Sequence, residues 1–147
     1  MLPAGEVGKA PLDPKTAALA SSWLRQRERF EEAGVPNDAW LGDGPEVTVH
    51  AFSLADEFRA LSGPAGVAAL AERAACVLGI REGPTSTRIR VTARGPQVIE
   101  LAARLGSPAE VELALAATGV DLNDLALKGA LGEEIALDEL LRRPQAA

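Results

Sequence analysis

One histidine, one cysteine and a short row of arginines are the side chains of this sequence best suited to chemistry. Imidazole exchanges a proton near neutral pH, so His50 is the one weak candidate for a general base or a metal ligand. No Ser–His–Asp arrangement can be assembled around it from spacing, and Ser53 reads better as a helix cap. The plainer expectation is a histidine on the less apolar face of a sheet. Cys76 falls near the C-terminal end of an Ala-rich helix, where the helix dipole disfavours a thiolate. It is expected to be a small core residue. A single Cys and a single His cannot form a His/Cys zinc site, and a single Cys cannot form an intrachain disulfide. No metal and no cofactor are expected.

Arg81, Arg88, Arg90 and Arg94 lie close together in an otherwise acidic chain. The period of two along a strand places Arg88 and Arg90 on one face. Arg94 and Gly95 stand at a predicted strand-to-helix turn, where free backbone N–H groups and the helix dipole could receive an anion, although Pro96 removes one of those donors. Arg88, Arg90, Arg94 and Gly95 are therefore the candidate ligand-binding residues for a small phosphate- or carboxylate-bearing ligand. Two other uses compete. The row could be the wet face of an edge strand that blunts unwanted pairing, or it could pair with acids of a partner subunit. Phosphate loops of the G-x-x-x-x-G-K-[ST] and G-x-G-x-x-G types are absent, and the acidic groups do not match a calcium loop.

These residues need elements to position them. Asp13 followed by Pro14 opens a helix that carries Leu19, Trp23 and Phe30 and stops at Gly34. A Gly/Pro-rich loop holding Trp40 leads to a predicted strand over 46–52 (EVTVHAF). Ser53, with Asp56 three residues on, predicts a short helix to Leu61. A second helix follows from Pro64 to Gly79. The next predicted strand is 85–93 (TSTRIRVTA), and Gly95-Pro96 is expected to open a helix ending at Gly106. Over 108–118 two patterns compete. Ser107-Pro108-Ala109-Glu110 is a capping box and argues helix, whereas Val111, Leu113 and Leu115 alternate like a strand; the cap and the Ala content favour helix. Further helices are expected over 121–131 and 133–143. Residues 1–12 read as a flexible N-terminal arm, 13–143 as one globular domain and 144–147 as a frayed tail.

Composition sets the outer limits. A chain of 147 residues with 47% hydrophobic and 24% charged residues can bury a core without staples. Aromatic residues make up only 3%, with no Tyr, so that core rests on Ala, Leu and Val. A net charge of −6 argues against non-specific binding to nucleic acid or an anionic membrane. The segment 116–132 has the turn between helices of a helix-turn-helix. Its second helix, however, carries Lys128 as its one cation, which is wrong for a phosphate backbone. There is no basic region followed by an apolar run at the start and no long uncharged apolar stretch, so a cytoplasmic location is expected. The abundance of Ala, Arg, Gly and Leu with little Lys is the usage of a bacterial chain.

The sequence thus predicts an α+β, helix-dominated single domain with a small sheet and a mostly helical C-terminal third. Few side chains suit catalysis, and two strands alone leave a sheet edge unpaired. The expected function is therefore a non-enzymatic protein-interaction or assembly module, an acidic adaptor or oligomer subunit. Its partner would be another protein or a second copy, met through Trp40, Leu137, Leu140 and Leu141. The alternative is a small-molecule binding protein or enzyme that holds an anionic ligand at the arginine row.

Overall fold

Asp13 caps the first helix as its position suggests: its carboxylate accepts from the backbone N–H groups of Lys15 and Thr16 and from the Thr16 hydroxyl. Helix α1 runs over Pro14–Glu32. The remaining elements are β1 (Glu46–Leu54), β2 (Glu57–Ala60), α2 (Ala65–Val77), β3 (Glu82–Thr92), β4 (Gly95–Ala102), α3 (Pro108–Thr118), α4 (Leu122–Ala130) and a 3-10 turn at Leu137–Leu141. The computed structural model describes residues 13–37, 43–55 and 57–141. The expected arm at 1–12, the tail at 144–147 and Trp40 lie outside the described residues.

The four strands form one antiparallel sheet in the order β2-β1-β3-β4. Val47, Val49 and Ile89 point to one face. There they meet Phe30 of α1, Val35 from the segment after it, and Val67, Leu70, Ala71, Ala74 and Ala75 of α2. Phe52 points to the other face and packs with Val111, Ala114, Val120, Leu122, Leu125 and Leu140 from the C-terminal helices. The small side chains of α2 let it lie close against the sheet, which is how a core poor in aromatic residues is filled. The chain is one α+β domain with helices on both sides of a small antiparallel sheet.

Two expected helices are strands. Ser53 and Leu54 continue β1 and Glu57–Ala60 run back as β2, with Leu54 opposite Glu57, in place of the helix expected over 53–61. Ser53 is a buried strand residue, not a cap. Ala55 makes the turn at φ 53°, a left-handed conformation that a helix-forming residue seldom adopts. The second is 95–106, which forms β4 over Gly95–Ala102, so Arg94 and Gly95 belong to a β-hairpin turn and not to a helix N-terminus. A bulge explains why this strand looked helical. Arg88 pairs with Glu100 while Ile89 pairs with Val98, so Ile99 is an extra residue. The shift lets Val98 and Leu101 both reach the α2 side, a spacing of three that a regular strand does not have. The last expected helix shrinks to the 3-10 turn, held by Lys128 of α4, whose ammonium reaches Glu139 at 2.7 Å and Asp124 at 3.0 Å. The segment 108–118 is the helix its capping box announced: Ser107 Oγ accepts from the Glu110 backbone N–H, and Glu110 accepts from the Ser107 backbone N–H.

Side chains close the β4 edge of the sheet and the stretch of β1 that β2 leaves unpaired. Gln26 of α1 lies beside β4 and acts as a strand substitute: its amide nitrogen donates to the Leu101 carbonyl at 2.9 Å, and its amide oxygen accepts from the Leu101 N–H at 3.1 Å. The Pro36 carbonyl accepts from the Val98 N–H on the same edge. On the other side, where β2 has ended, Ser62 Oγ accepts from the His50 N–H and donates to the Thr48 carbonyl.

Candidate functional site

The face of the sheet that carries Phe52 is only half covered. Alternation along β1 and β3 puts Glu46, Thr48, His50 and Phe52 on it, opposite Arg90, Arg88, Ser86 and Pro84. The C-terminal helices cover the Phe52 end. The other end presents a ladder of charges. Glu46 receives Arg88 at 2.9 Å and Arg90 at 2.7 Å, one guanidinium on each carboxylate oxygen. Arg88 reaches across to Glu100 of β4 at 3.2 Å. The hydrogen bond from Arg88, followed by that from Arg90, holds the Glu46 carboxyl below its ordinary range. The same bonds to Glu46 and Glu100 hold the Arg88 guanidinium charged.

Two arginines and two glutamates cancel, so the ladder is not a bare cationic site. Arg88 and Arg90 share a face as the period of two required, and their acids come from this chain. Arg94 stands on the β3–β4 turn, exposed, with its backbone N–H donating to Thr92 Oγ1. Gly95 takes a positive φ of 101° there.

His50 lies on the same face as Arg88 and Arg90, at the boundary between the open half and the helical cover. It is buried, with Nε2 at 3.8 Å from Oε1 of Glu110. Gly106 makes that packing possible: a Cβ there would fall 2.6 Å from both His50 Cε1 and Glu110 Oε2. The Glu110 carboxyl is held low chiefly by the Ser107 hydrogen bonds, with the His50 and Arg104 charges adding to them.

Among the expected interface residues, Leu137 is exposed, whereas Leu140 is 2% exposed and belongs to the core around Phe52. Leu140 is therefore a packing residue. Leu141 ends the 3-10 turn, and its side chain lies outside the described residues. Cys76 is exposed, against the expectation of a core position. It lines a cavity of about 320 Å³ with Ser53, Glu57, Phe58, Glu72 and Arg81. A smaller cavity of about 170 Å³ lies between Phe52, Gly83, Gly129 and Ile135. Neither includes His50, Arg88, Arg90 or Arg94. Among the described residues, no group of three or more His, Cys, Asp or Glu is placed to hold a metal ion. No described helix is long and apolar enough to cross a membrane.

Spacing leaves Leu127, Leu131 and Trp23 open between the chain's own core and a partner surface; the structure leaves them, with other large apolar side chains, in solvent. Leu19, Trp23 and Leu24 stand exposed along α1, Leu113 and Leu115 on α3, and Leu127 of α4 with Leu131 at its C-cap. Trp23 is stacked under the Arg27 guanidinium at 5.1 Å. Their spacing was visible; the missing information was that none of the described elements covers them.

No described protein family and no curated protein matches the sequence. Solved structures do resemble the fold. An L-amino acid ligase from Bacillus licheniformis matches over 69% of this chain with 23% identity and a TM-score of 0.58. Phosphoribosylglycinamide synthetase from Anaerococcus prevotii matches over 63% with 15% identity and a TM-score of 0.55. The urea amidolyase of K. lactis matches over 77% with 17% identity and a TM-score of 0.53. This chain spans 33%, 30% and 8% of those three chains. At such identities the likeness is one of fold.

Proposed function

We propose that this protein is a non-enzymatic interaction or assembly module that works bound to another protein or to a second copy. The observation that supports it most is the exposed apolar series on the helices. In α1 only Phe30 is buried, so most of a 19-residue helix stands off the core with Leu19 and Trp23 one turn apart. Leu127 of α4 and Leu131 at its C-cap repeat that spacing. Scattered single leucines on a surface need no explanation; paired ones on outer helix faces mark contact surfaces. The sequence's acidic balance and the internal neutralisation of the arginines also favour a protein partner over a polyanion.

The test is to replace Leu19 and Trp23, and separately Leu127 and Leu131, by serine in the tagged protein expressed in its own host. The module reading expects stoichiometric co-purification of a partner or a second copy with the wild type, lost in at least one variant while the circular dichroism spectrum stays unchanged. Elution of wild type and variants as the same free 15.3 kDa chain would overturn it.

A second reading has one observation in its favour: His50, Arg88 and Arg90 do share one half-open sheet face. A small anion could bind there only by displacing Glu46 or Glu100. Titration with inorganic phosphate and with citrate, followed by amide shifts of β1 and β3, would detect it; flat shifts would dismiss it.

A further inference from the structure

We propose that the outer edge of β2 is a self-pairing edge, and that two copies of this chain join there into one continuous eight-stranded sheet. The inference rests on the module reading and names its partner as a second copy.

The sheet has two edges, and they are treated differently. The β4 edge is closed by Gln26 and by the Pro36 carbonyl, and the stretch of β1 beyond β2 is closed by Ser62. Among the described residues, the β2 edge has no such cover. The Leu61 N–H donates to the His50 carbonyl, which fixes the alternation: Glu57 and Arg59 turn their backbone groups toward β1, and Phe58 and Ala60 turn theirs outward. Among the described residues, nothing bonds to those outward groups.

The side chains fit a two-fold pairing. Glu57 and Arg59 lie on the same face as Phe52, exposed, and no described side chain pairs with either. An antiparallel pair centred on Phe58 sets Phe58 against Phe58 of the second copy as a hydrogen-bonded pair that uses the outward groups. It then sets Glu57 against Arg59 twice, in the closer non-hydrogen-bonded positions. Shifting the centre to Arg59 would put like charges opposite each other, so charge selects the first register. The same residues meet in both directions, as a two-fold contact requires. Phe58, half-buried against the α2 side of the sheet, gains an aromatic neighbour across the new seam. A strand of four residues makes a small interface, so the association is weak and concentration-dependent.

The experiment is sedimentation velocity on the full chain across a wide concentration range, with three proteins: wild type, Arg59→Glu, and Glu57→Arg/Arg59→Glu. The wild type is expected to dimerise. Arg59→Glu creates two like-charge contacts and should weaken the dimer by about tenfold or more. The double variant restores both opposite pairs and should recover wild-type association. A wild-type dimer indifferent to Arg59→Glu would overturn the β2 edge while leaving the module reading intact. A wild type that stays monomeric at the highest concentration would overturn self-pairing, and the module reading would then stand or fall on co-purification of a different protein.

Discussion

Glu46 holds two arginines with one carboxylate, and each of the three was visible as a residue type without its partners. The candidate anion site turns out to contain its own anions because Glu46 opens β1 opposite Arg90 and Glu100 lies opposite Arg88 in β4, a register that spacing along one strand does not reveal. The Glu46 carboxyl is held below its ordinary value of 4.5 by its hydrogen bonds to Arg88 and Arg90. A carboxyl depressed in the folded state contributes stability that is present above its unfolded value and lost as pH falls through the folded value. Glu46→Gln should therefore be less stable than wild type at neutral pH, and the difference should shrink below about pH 4, as urea unfolding at both pH values would show. An unchanged gap at low pH would mean that the ion pairs contribute nothing through ionisation. Ala55 gives a second prediction. Its φ of 53° costs a non-glycine residue about 1 kcal/mol, so Ala55→Gly should leave stability unchanged or raise it by up to about 1 kcal/mol. A clear loss would show that the turn is set by something other than backbone strain.

Elements were legible where a local signal and the tertiary environment agree. Asp13-Pro14 and the Ser107–Glu110 box start their helices at the positions expected, because caps act over three or four residues and need no distant partner. The strand at 85–93 and the helix from Pro64 to Gly79 were also legible, from alternation and from an Ala/Leu stripe. Residues 53–61 and 95–106 were not. In the first, good helix formers are recruited into a hairpin by pairing with β1; in the second, a bulge breaks the period of two. Removing the Ser107 hydroxyl by Ser107→Ala should cost about 1 kcal/mol, measured by thermal or urea unfolding. The union of α1 with β4 can be tested at Gln26. Gln26→Ala strips both partners from the Leu101 backbone groups, so it should cost about 1–3 kcal/mol and speed hydrogen exchange at the Leu101 amide. Unaltered exchange would mean that solvent already serves that edge.

At the scale of the molecule, the low aromatic content takes on a different meaning. Phe30 and Phe52 anchor the two cores on opposite faces of the sheet, while Phe58 sits at the β2 edge and Trp23 stands out on α1. Two of the few aromatic residues are thus placed where a second surface would meet the chain, consistent with the frequent use of Trp as an interface anchor. Whether that surface belongs to another copy or to a different protein, the module reading requires that the chain not work alone. Native mass spectrometry of the tagged protein, gently isolated from its own host, tests this most directly. The expected result is a dominant species heavier than the 15.3 kDa chain, at integral stoichiometry with a second copy or another protein. A spectrum holding only the single chain, under conditions that preserve known complexes of the same host, would contradict it.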